Sequence, residues 1–284
     1  MGGVSMQDYL TFGLLGETIS KSLSPMVYNA LFTELGVQAV YLPFPVPRAQ
    51  FLSALPVLRS SFAGFNVAAP YRLDIMAHLD KLDASARRAG TANTIKVENQ
   101  KLIGYNTDMQ GFERSLFGFM GKLYDQDVLL VGAGGAAHAA ANVLLDRGAV
   151  LTIISRNFAH TAALRETLCK RYNKSRVRAV KGLSHEDIFT AIVSAAAVDI
   201  EGKQSEVSIH SHTYQNLKYA YDMSYQKTAF LRKAESFGAK VKTGFDMLFF
   251  HSIGSVKVWM GKGNGIGVEA ISRLHGSIKA AIGE

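Results

Sequence analysis

The run Gly132-Ala133-Gly134-Gly135-Ala136-Ala137 has the residue types and spacing to cradle a phosphate. Gly132 suits a tight turn, Gly134 lets backbone come close to a pyrophosphate, and Ala137 lets a helix pack closely on a strand. Gly135 and Ala136 then open a helix whose free N–H groups and positive dipole end favour anions. A site for NAD would carry an acid about 20 residues further on, holding the ribose hydroxyls. Here the next strand ends at Ser155-Arg156-Asn157 instead. Arg156 suits a 2′-phosphate, which favours NADP over NAD.

Three polar clusters precede this run. In Gly16-Glu17-Thr18-Ile19-Ser20-Lys21-Ser22-Leu23-Ser24-Pro25, two hydroxyls stand beside a helix start. Ser24 alone would satisfy a helix cap, whereas Ser22 and Ser24 together with the helix dipole would make a carboxylate cradle. Asn66-Val67-Ala68-Ala69-Pro70-Tyr71-Arg72 ends a strand with an amide and places a guanidinium six residues on. Thr91-Ala92-Asn93-Thr94 and Gly104-Tyr105-Asn106-Thr107-Asp108 add amides and an acid, and Asp108 reads equally as the cap of the next helix.

The elements that must hold these groups alternate between strand and helix from end to end, which predicts an α/β fold with parallel sheets. Strands are expected over Thr11–Leu15, Val40–Phe44 and Gly64–Val67, with a helix over Pro25–Leu35 capped by Ser24 and stopped by Gly36. A helical stretch follows Pro70, and Asn99-Gln100 should turn a hairpin between Thr94–Glu98 and Lys101–Tyr105. Asp108 is expected to open a helix running to Met120. Then come a strand over Asp127–Val131, a helix from Ala136, a strand over Val150–Ser155, a helix from Ala159 and a strand over Val177–Val180. Further strands fall at Ile192–Ala195 and Tyr219–Met223, with helices over Phe245–Met260 and Val268–Ala281. Two glycine-punctuated blocks suggest two domains that meet near Asp108.

Composition narrows the function. Of 284 residues, 48% are hydrophobic and 19% charged, the balance of a globular protein. The single Cys169 excludes a disulfide framework and a cysteine-based zinc site, and makes a reducing compartment the default. No basic stretch leads into an apolar run near Met1, so no secretory signal is expected. The apolar segment Val128–Leu145 contains glycines, His138 and Asn142, and reads as a buried strand–turn–helix, not a membrane span. The expectation is a cytoplasmic protein with no membrane partner.

The net charge of +8 is matched by one window, Arg147 to Lys181, with nine basic residues and the single acid Glu166. Most of these suit solvated helix and loop faces; a phosphorylated small molecule, an anionic surface or nucleic acid could also use them. Arg156 gives the cluster a small-molecule use. No nucleic-acid motif or interleaved aromatic residue accompanies it, so no nucleic-acid partner is expected.

In order along the chain, from about Phe12 to Met260, these segments resemble the shikimate dehydrogenase family and its quinate-using relatives. The family's Gly-x-Pro-Ile-x-His-Ser-x-Ser-Pro is matched by Gly16, Ile19, Ser22, Ser24 and Pro25, and its Asn-Val-Thr-Val-Pro-Phe-Lys by Asn66, Val67 and Pro70. Ala-x-Asn-Thr and Asn-Thr-Asp-x-x-Gly recur at Asn93-Thr94 and at Asn106-Thr107-Asp108 with Gly111. Gly132–Ala136, Ser155-Arg156-Asn157 and Tyr221-Asp222-Met223-Ser224-Tyr225 resemble the family's later motifs.

The resemblance implies an N-terminal α/β substrate domain, 1–107, completed by C-terminal helices, 245–284. Between them, 108–244 would form a Rossmann-type dinucleotide-binding domain for NADP. It implies substrate contacts from Ser22, Ser24, Asn66, Asn93, Tyr225 and His251, catalysis by Arg72 and Asp108, and Met223 and Gly244 beside the nicotinamide. Gly132, Gly134, Gly135, Ala136, Ser155 and Arg156 would hold the rest of the cofactor, and no metal is implied.

Four positions and one short segment depart from the family. Its catalytic Lys is Arg72, its substrate-binding Thr is Ala68, its late-helix Gln is His251, its first-motif His is Lys21, and its Asn-Ala-Thr-Ser is Ser194-Ala195-Ala196-Ala197. The expected activity is NADP-dependent oxidoreduction of shikimate, or of a related cyclic polyhydroxy carboxylate, by a monomer or homodimer within aromatic amino acid biosynthesis. The alternative is a non-catalytic NADP- or metabolite-binding protein of the same descent.

Overall fold

The computed structural model describes residues 9–196, 209, 211–261 and 266–283. The chain divides into two compact units, one running to Thr107 and resuming at His251, the other being Asp108–Phe250.

The first unit begins with β1 (Leu10–Gly16), α1 (Ser24–Glu34), β2 (Ala39–Pro45), α2 (Phe51–Ser61) and β3 (Gly64–Val67). It continues with α3 (Tyr71–Asp74), β4 (Lys81–Leu82), α4 (Ala84–Ala89), β5 (Thr94–Glu98) and β6 (Lys101–Tyr105). Its six strands lie in the order β2-β1-β3-β5-β6-β4. The central β1 is parallel to both β2 and β3, while β5 runs antiparallel to β3 and β6. The β5–β6 turn is the expected one, with Asn99 and Gln100 both at positive φ, +50° and +59°.

One finding here corrects the sequence reading. Ser24 does not cap α1; it is the first helical residue, Leu23 holds the cap position, and the Ser24 N–H donates to Ser22 Oγ at 3.2 Å. The Ser-x-Ser spacing lets the earlier hydroxyl reach two residues on, so the chain turns one step sooner. The helical stretch expected beyond Pro70 is present, as a helix over Tyr71–Asp74 that passes into a 3₁₀ turn over Ile75–His78.

In the second unit the elements are α5 (Asp108–Leu116), β7 (Asp127–Val131), α6 (Gly135–Asp146), β8 (Val150–Ile154), α7 (Phe158–Cys169) and β9 (Val177–Val180). After these come β10 (Ala191–Ser194), β11 (Tyr219–Asp222), α8 (Ala229–Ser236) and β12 (Lys240–Lys242). Helix α5 ends before Met120, because Gly118 at φ +73° turns the chain out of the helix. The sheet is parallel throughout in the order β12-β11-β10-β7-β8-β9, the doubly wound Rossmann order with its switch point between β7 and β10. Strands so placed are covered on both faces, and β7, β8 and β10 accordingly read as apolar runs. No helix among the described residues is long and apolar enough to cross a membrane.

The last helices are α9 (Phe245–Met260), within which the division between units falls, and α10 (Val268–Ala281). The late half of α9 belongs to the first unit and is keyed to its sheet by the chain's one tryptophan. Trp259 stacks on Phe12 and donates its indole N–H to the Ile95 carbonyl at 2.9 Å. Gly64 makes room for it: a Cβ there would lie 2.4 Å from Trp259 Nε1 and 2.8 Å from the Ile95 carbonyl oxygen. Gly64→Ala should therefore destabilise the first unit by about 1–3 kcal/mol, as overpacking does. Urea unfolding followed by Trp259 fluorescence measures this, and an unchanged midpoint would show that the helix shifts freely.

Candidate active site

In the first unit, four polar residues converge on Asn66 at the buried end of β3. Tyr41 donates its hydroxyl to Asn66 Oδ1 at 2.9 Å, and Asn66 Nδ2 lies 3.0 Å from the Asn93 carbonyl, 3.0 Å from Thr94 Oγ1 and 3.1 Å from Ser255 Oγ. Thr94, Thr107 and Ser255 close a triangle of hydroxyls at 2.8–3.1 Å. Asn93 accepts the Thr107 N–H on Oδ1 at 2.7 Å and donates Nδ2 to Thr107 Oγ1 at 3.0 Å. A buried network satisfied this completely has one geometry. It fixes the backbone immediately before Asp108, which is 1% exposed at the first position of α5.

Arg72 stands on α3. Its Nε donates to the Val67 carbonyl at 2.8 Å, anchoring the guanidinium to the end of β3, and its own carbonyl accepts the Ala92 N–H at 3.3 Å. The neighbouring Tyr71 holds α3 in place by donating to the Val46 carbonyl at 2.7 Å. Burial, reinforced by the charge of Glu17, pushes the Tyr71 hydroxyl above its usual range, so it remains a donor. Arg72 and Asn93 are thus held on adjoining backbone.

Ser22 and Ser24 sit together at the start of α1, with Ser22 Oγ donating to Ser24 Oγ at 3.1 Å. One turn along the same face, Tyr28 stacks on Tyr41 at 4.2 Å and meets the edge of the His251 ring at 6.5 Å. Ser24, Tyr28, Tyr41, His251 and Asn66 therefore form one continuous patch of this unit.

The second unit places the glycine turn at the switch point. Gly132 has φ +118°, donates to the Ile154 carbonyl at 2.8 Å, and would drive a Cβ to 2.9 Å from the Ala195 backbone. Only glycine fits there. Gly134, by contrast, has nothing within 4 Å of where a Cβ would stand, so backbone is open to a ligand just where Gly135 starts α6. Past β8, the loop is shaped locally: Ser155 Oγ donates to the Asn157 carbonyl at 2.9 Å, and Asn157 Oδ1 caps α7 through the Ala159 N–H at 3.0 Å. Arg156 between them is exposed, and no acid follows β8 in that loop. An open backbone, a helix N-terminus and an exposed arginine suit a dinucleotide with a 2′-phosphate.

Met223 and Gly244 meet. A Cβ on Gly244 would stand 2.3 Å from the Met223 carbonyl oxygen, and the Gly244 N–H donates to the Ser224 carbonyl at 2.8 Å. The buried Asp222 shapes that turn by accepting from the Ser224 N–H at 2.9 Å and the Thr228 hydroxyl at 2.8 Å. Tyr225 lies half-buried in it. Ser194 ends β10 and Ala195 backs Gly132, while Ala197 lies outside the described residues. Among the described residues no cluster of three or more His, Cys, Asp or Glu could hold a metal ion.

Sequence reasoning passed over Tyr41, Thr107 and Ser255 as working side chains. Tyr41 and Ser255 read as ordinary strand and helix residues, and only the folding of α9 onto β3 and β5 gives Ser255 its partners. Thr107 carried a signal, since a hydroxyl between an amide and a helix-opening acid is a plausible hydrogen-bonding position.

Two family models match the chain: the shikimate dehydrogenase substrate binding domain over residues 14–95, and shikimate/quinate 5-dehydrogenase over residues 115–225. A shikimate dehydrogenase (NADP(+)) of Methanococcus maripaludis is 32% identical, over 88% of this chain and 90% of that protein. Among solved structures, shikimate dehydrogenase of Aquifex aeolicus superposes with a TM-score of 0.81 at 29% identity, covering 95% of this chain and 98% of that one. The enzyme from Thermus thermophilus, solved with NADP(H) and shikimate, gives 0.79 at 28% identity over 94% and 99%.

Proposed function

The chain belongs to the shikimate dehydrogenase family, and on that premise we propose that it is an NADP-dependent oxidoreductase acting on shikimate, or on a cyclic polyhydroxy carboxylate differing from it in one substituent. The observation that supports an enzyme over a mere NADP-binding protein is the buried network around Asn66 and Asn93. Binding NADP alone makes no use of an amide–hydroxyl network that fixes the backbone before Asp108.

NADP, when bound, supplies or accepts the hydride; the chain's own residues do the rest. Gly132, Gly134, Gly135 and Ala136 hold the pyrophosphate, Ser155 and Arg156 the adenosine end, and Met223 and Gly244 bound the nicotinamide. Ser22 and Ser24 turn their hydroxyls to the substrate carboxylate at the start of α1. Tyr225 and His251 contact the ring substituents, and Asn93 does so through the amide atoms it shares with Thr107. Asn66 is given a positioning role, because its carboxamide is taken up by Tyr41, Asn93, Thr94 and Ser255.

Arg72 polarises the reacting oxygen, and Asp108 takes the hydroxyl proton as the alcohol becomes a ketone, returning it in the reverse direction. Ala68 and His251 remove a hydroxyl and replace an amide relative to the family pattern, so the pocket discriminates at one substituent. Cytoplasmic location and action on a free small molecule complete the reading.

Initial rates of NADP⁺ reduction with shikimate, quinate and their amino analogues test the substrate. Cofactor choice is tested by calorimetric titration of Arg156→Ala. NADP⁺ affinity should fall about ten- to a hundredfold, the value of a charge-assisted phosphate pair, while NAD⁺ is unaffected. Equal losses for both would make Arg156 an ordinary surface residue.

A further inference from the structure

Three of the nine basic residues between Arg147 and Lys181 are taken up by local structure. Arg165 Nε donates to the Val177 carbonyl at 2.8 Å, Arg176 binds Asp125 at 2.7 Å and the Gly148 carbonyl at 2.8 Å, and Arg178 pairs with Asp187 at 2.7 Å. Lys181 has a different setting. It is exposed, no acid among the described residues pairs with it, and its ammonium stands over the ring of Phe158 at 5.2 Å from the centroid. A cation within about 6 Å of a ring face is attracted by it, so Phe158 holds the lysine near one position.

That position adjoins the loop after β8. Ile154 and Val180 are register partners at the ends of β8 and β9, so Ser155 and Lys181 leave the sheet side by side. Phe158, the platform, is the first residue of α7, two residues beyond Arg156. Two exposed cations thus belong to the loop that opens α7, Arg156 within it and Lys181 over its first helical residue.

Resting on the NADP reading above, we infer that Lys181 is a second specificity-determining cation for the 2′-phosphate, sharing it with Arg156, and that Phe158 is the platform that presents it. Arg156 offers a planar fork of donors and Lys181 a point charge, so the two can bind different oxygens of one phosphate. NAD has no group there for either to bind.

The experiment is titration of NADP⁺ and NAD⁺ into the wild-type protein, Lys181→Met, Lys181→Arg, Phe158→Leu and Arg156→Ala. Methionine keeps an apolar contact with the Phe158 ring while removing the charge and its attraction to the ring face. Lys181→Met should weaken NADP⁺ about three- to tenfold, as expected for an exposed charged contact, and leave NAD⁺ alone. It should also flatten the dependence of NADP⁺ affinity on ionic strength. Lys181→Arg should preserve the preference, and Phe158→Leu should lose part of it. An unchanged NADP⁺/NAD⁺ ratio in Lys181→Met, with the ratio lowered in Arg156→Ala, overturns the role of Lys181 and leaves the NADP reading intact. Equal weakening of both cofactors by Lys181→Met also overturns it. A ratio unmoved by either variant overturns the part of both cations in choosing the cofactor, whereas a wild-type protein with no preference for NADP⁺ overturns the NADP reading itself.

Discussion

Asp108→Asn is expected to lower kcat on the best of the shikimate-like substrates by about 10²–10⁴-fold, the usual loss for a positioned acid–base group. Its thermal unfolding should stay close to wild type. Asp108 opens α5 and is almost wholly buried. A carboxylate at that position also favours the helix through its dipole, so a structural role competes with the catalytic one. Asparagine separates the two: it fills the same volume and serves helix starts as well as aspartate does, yet cannot accept a proton. Asn93 and Thr107 hold the preceding backbone unchanged in the variant, so a fall in rate would report the lost carboxylate and not a displaced loop. Initial rates alongside a melting curve measure both quantities. A rate within about tenfold of wild type would leave Asp108 as a helix-start residue only.

Much of this arrangement is legible in the sequence, and its limits have physical reasons. Strands such as Gly64–Val67 and Asp127–Val131 are bounded by glycine, proline or charge and filled with apolar residues, so pattern alone marks them. The hairpin is equally plain, because Asn99-Gln100 interrupts two strand-like runs. Helix α2 escapes notice because Pro56 sits inside it, and only its buried face of Phe51, Ala54, Leu55 and Leu58 betrays the helical period. Helix α4 did carry signals, Asp83 capping Ser85 and Gly90 at φ +72° closing it, but six residues make too short a period to stand out. The three residues of β12 gain strand character only by pairing with β11.

The candidate site divides the same way. Gly132 and Gly134 follow from local backbone chemistry and can be read from the chain. The partnership of Gly244 with Met223, and of Ser255 with Asn66, depends on contacts between residues distant in sequence, which spacing cannot encode. Motif resemblance drew attention to Gly244; nothing of that kind drew attention to Ser255.

Arg72→Lys is expected to raise kcat on shikimate by at least about tenfold, and toward the roughly 10²–10⁴-fold that an acid–base group supplies, with NADP⁺ affinity unchanged. A guanidinium stays protonated wherever an enzyme works, so at the position proposed for Arg72 it can stabilise developing negative charge but cannot exchange a proton. A lysine ammonium does both. The exchange is local: Tyr71 anchors α3 through Val46, and the Arg72 backbone is tied to Ala92, so neither bond depends on the side chain being replaced. What changes is the Nε bond to the Val67 carbonyl, which lysine cannot reproduce, leaving its flexible four-carbon stem free to turn toward the substrate. A rise in kcat with little change in KM would mean that the surrounding site is already assembled for shikimate and lacks only the exchangeable proton. No rise, with NADP⁺ affinity intact, would mean that the fork of Arg72 reads a second oxygen, one that shikimate does not offer in that place. The altered hydrogen-bond partners at Ala68 and His251 would then belong to the same adaptation, and the substrate to seek would carry an additional acceptor beside the reacting carbon.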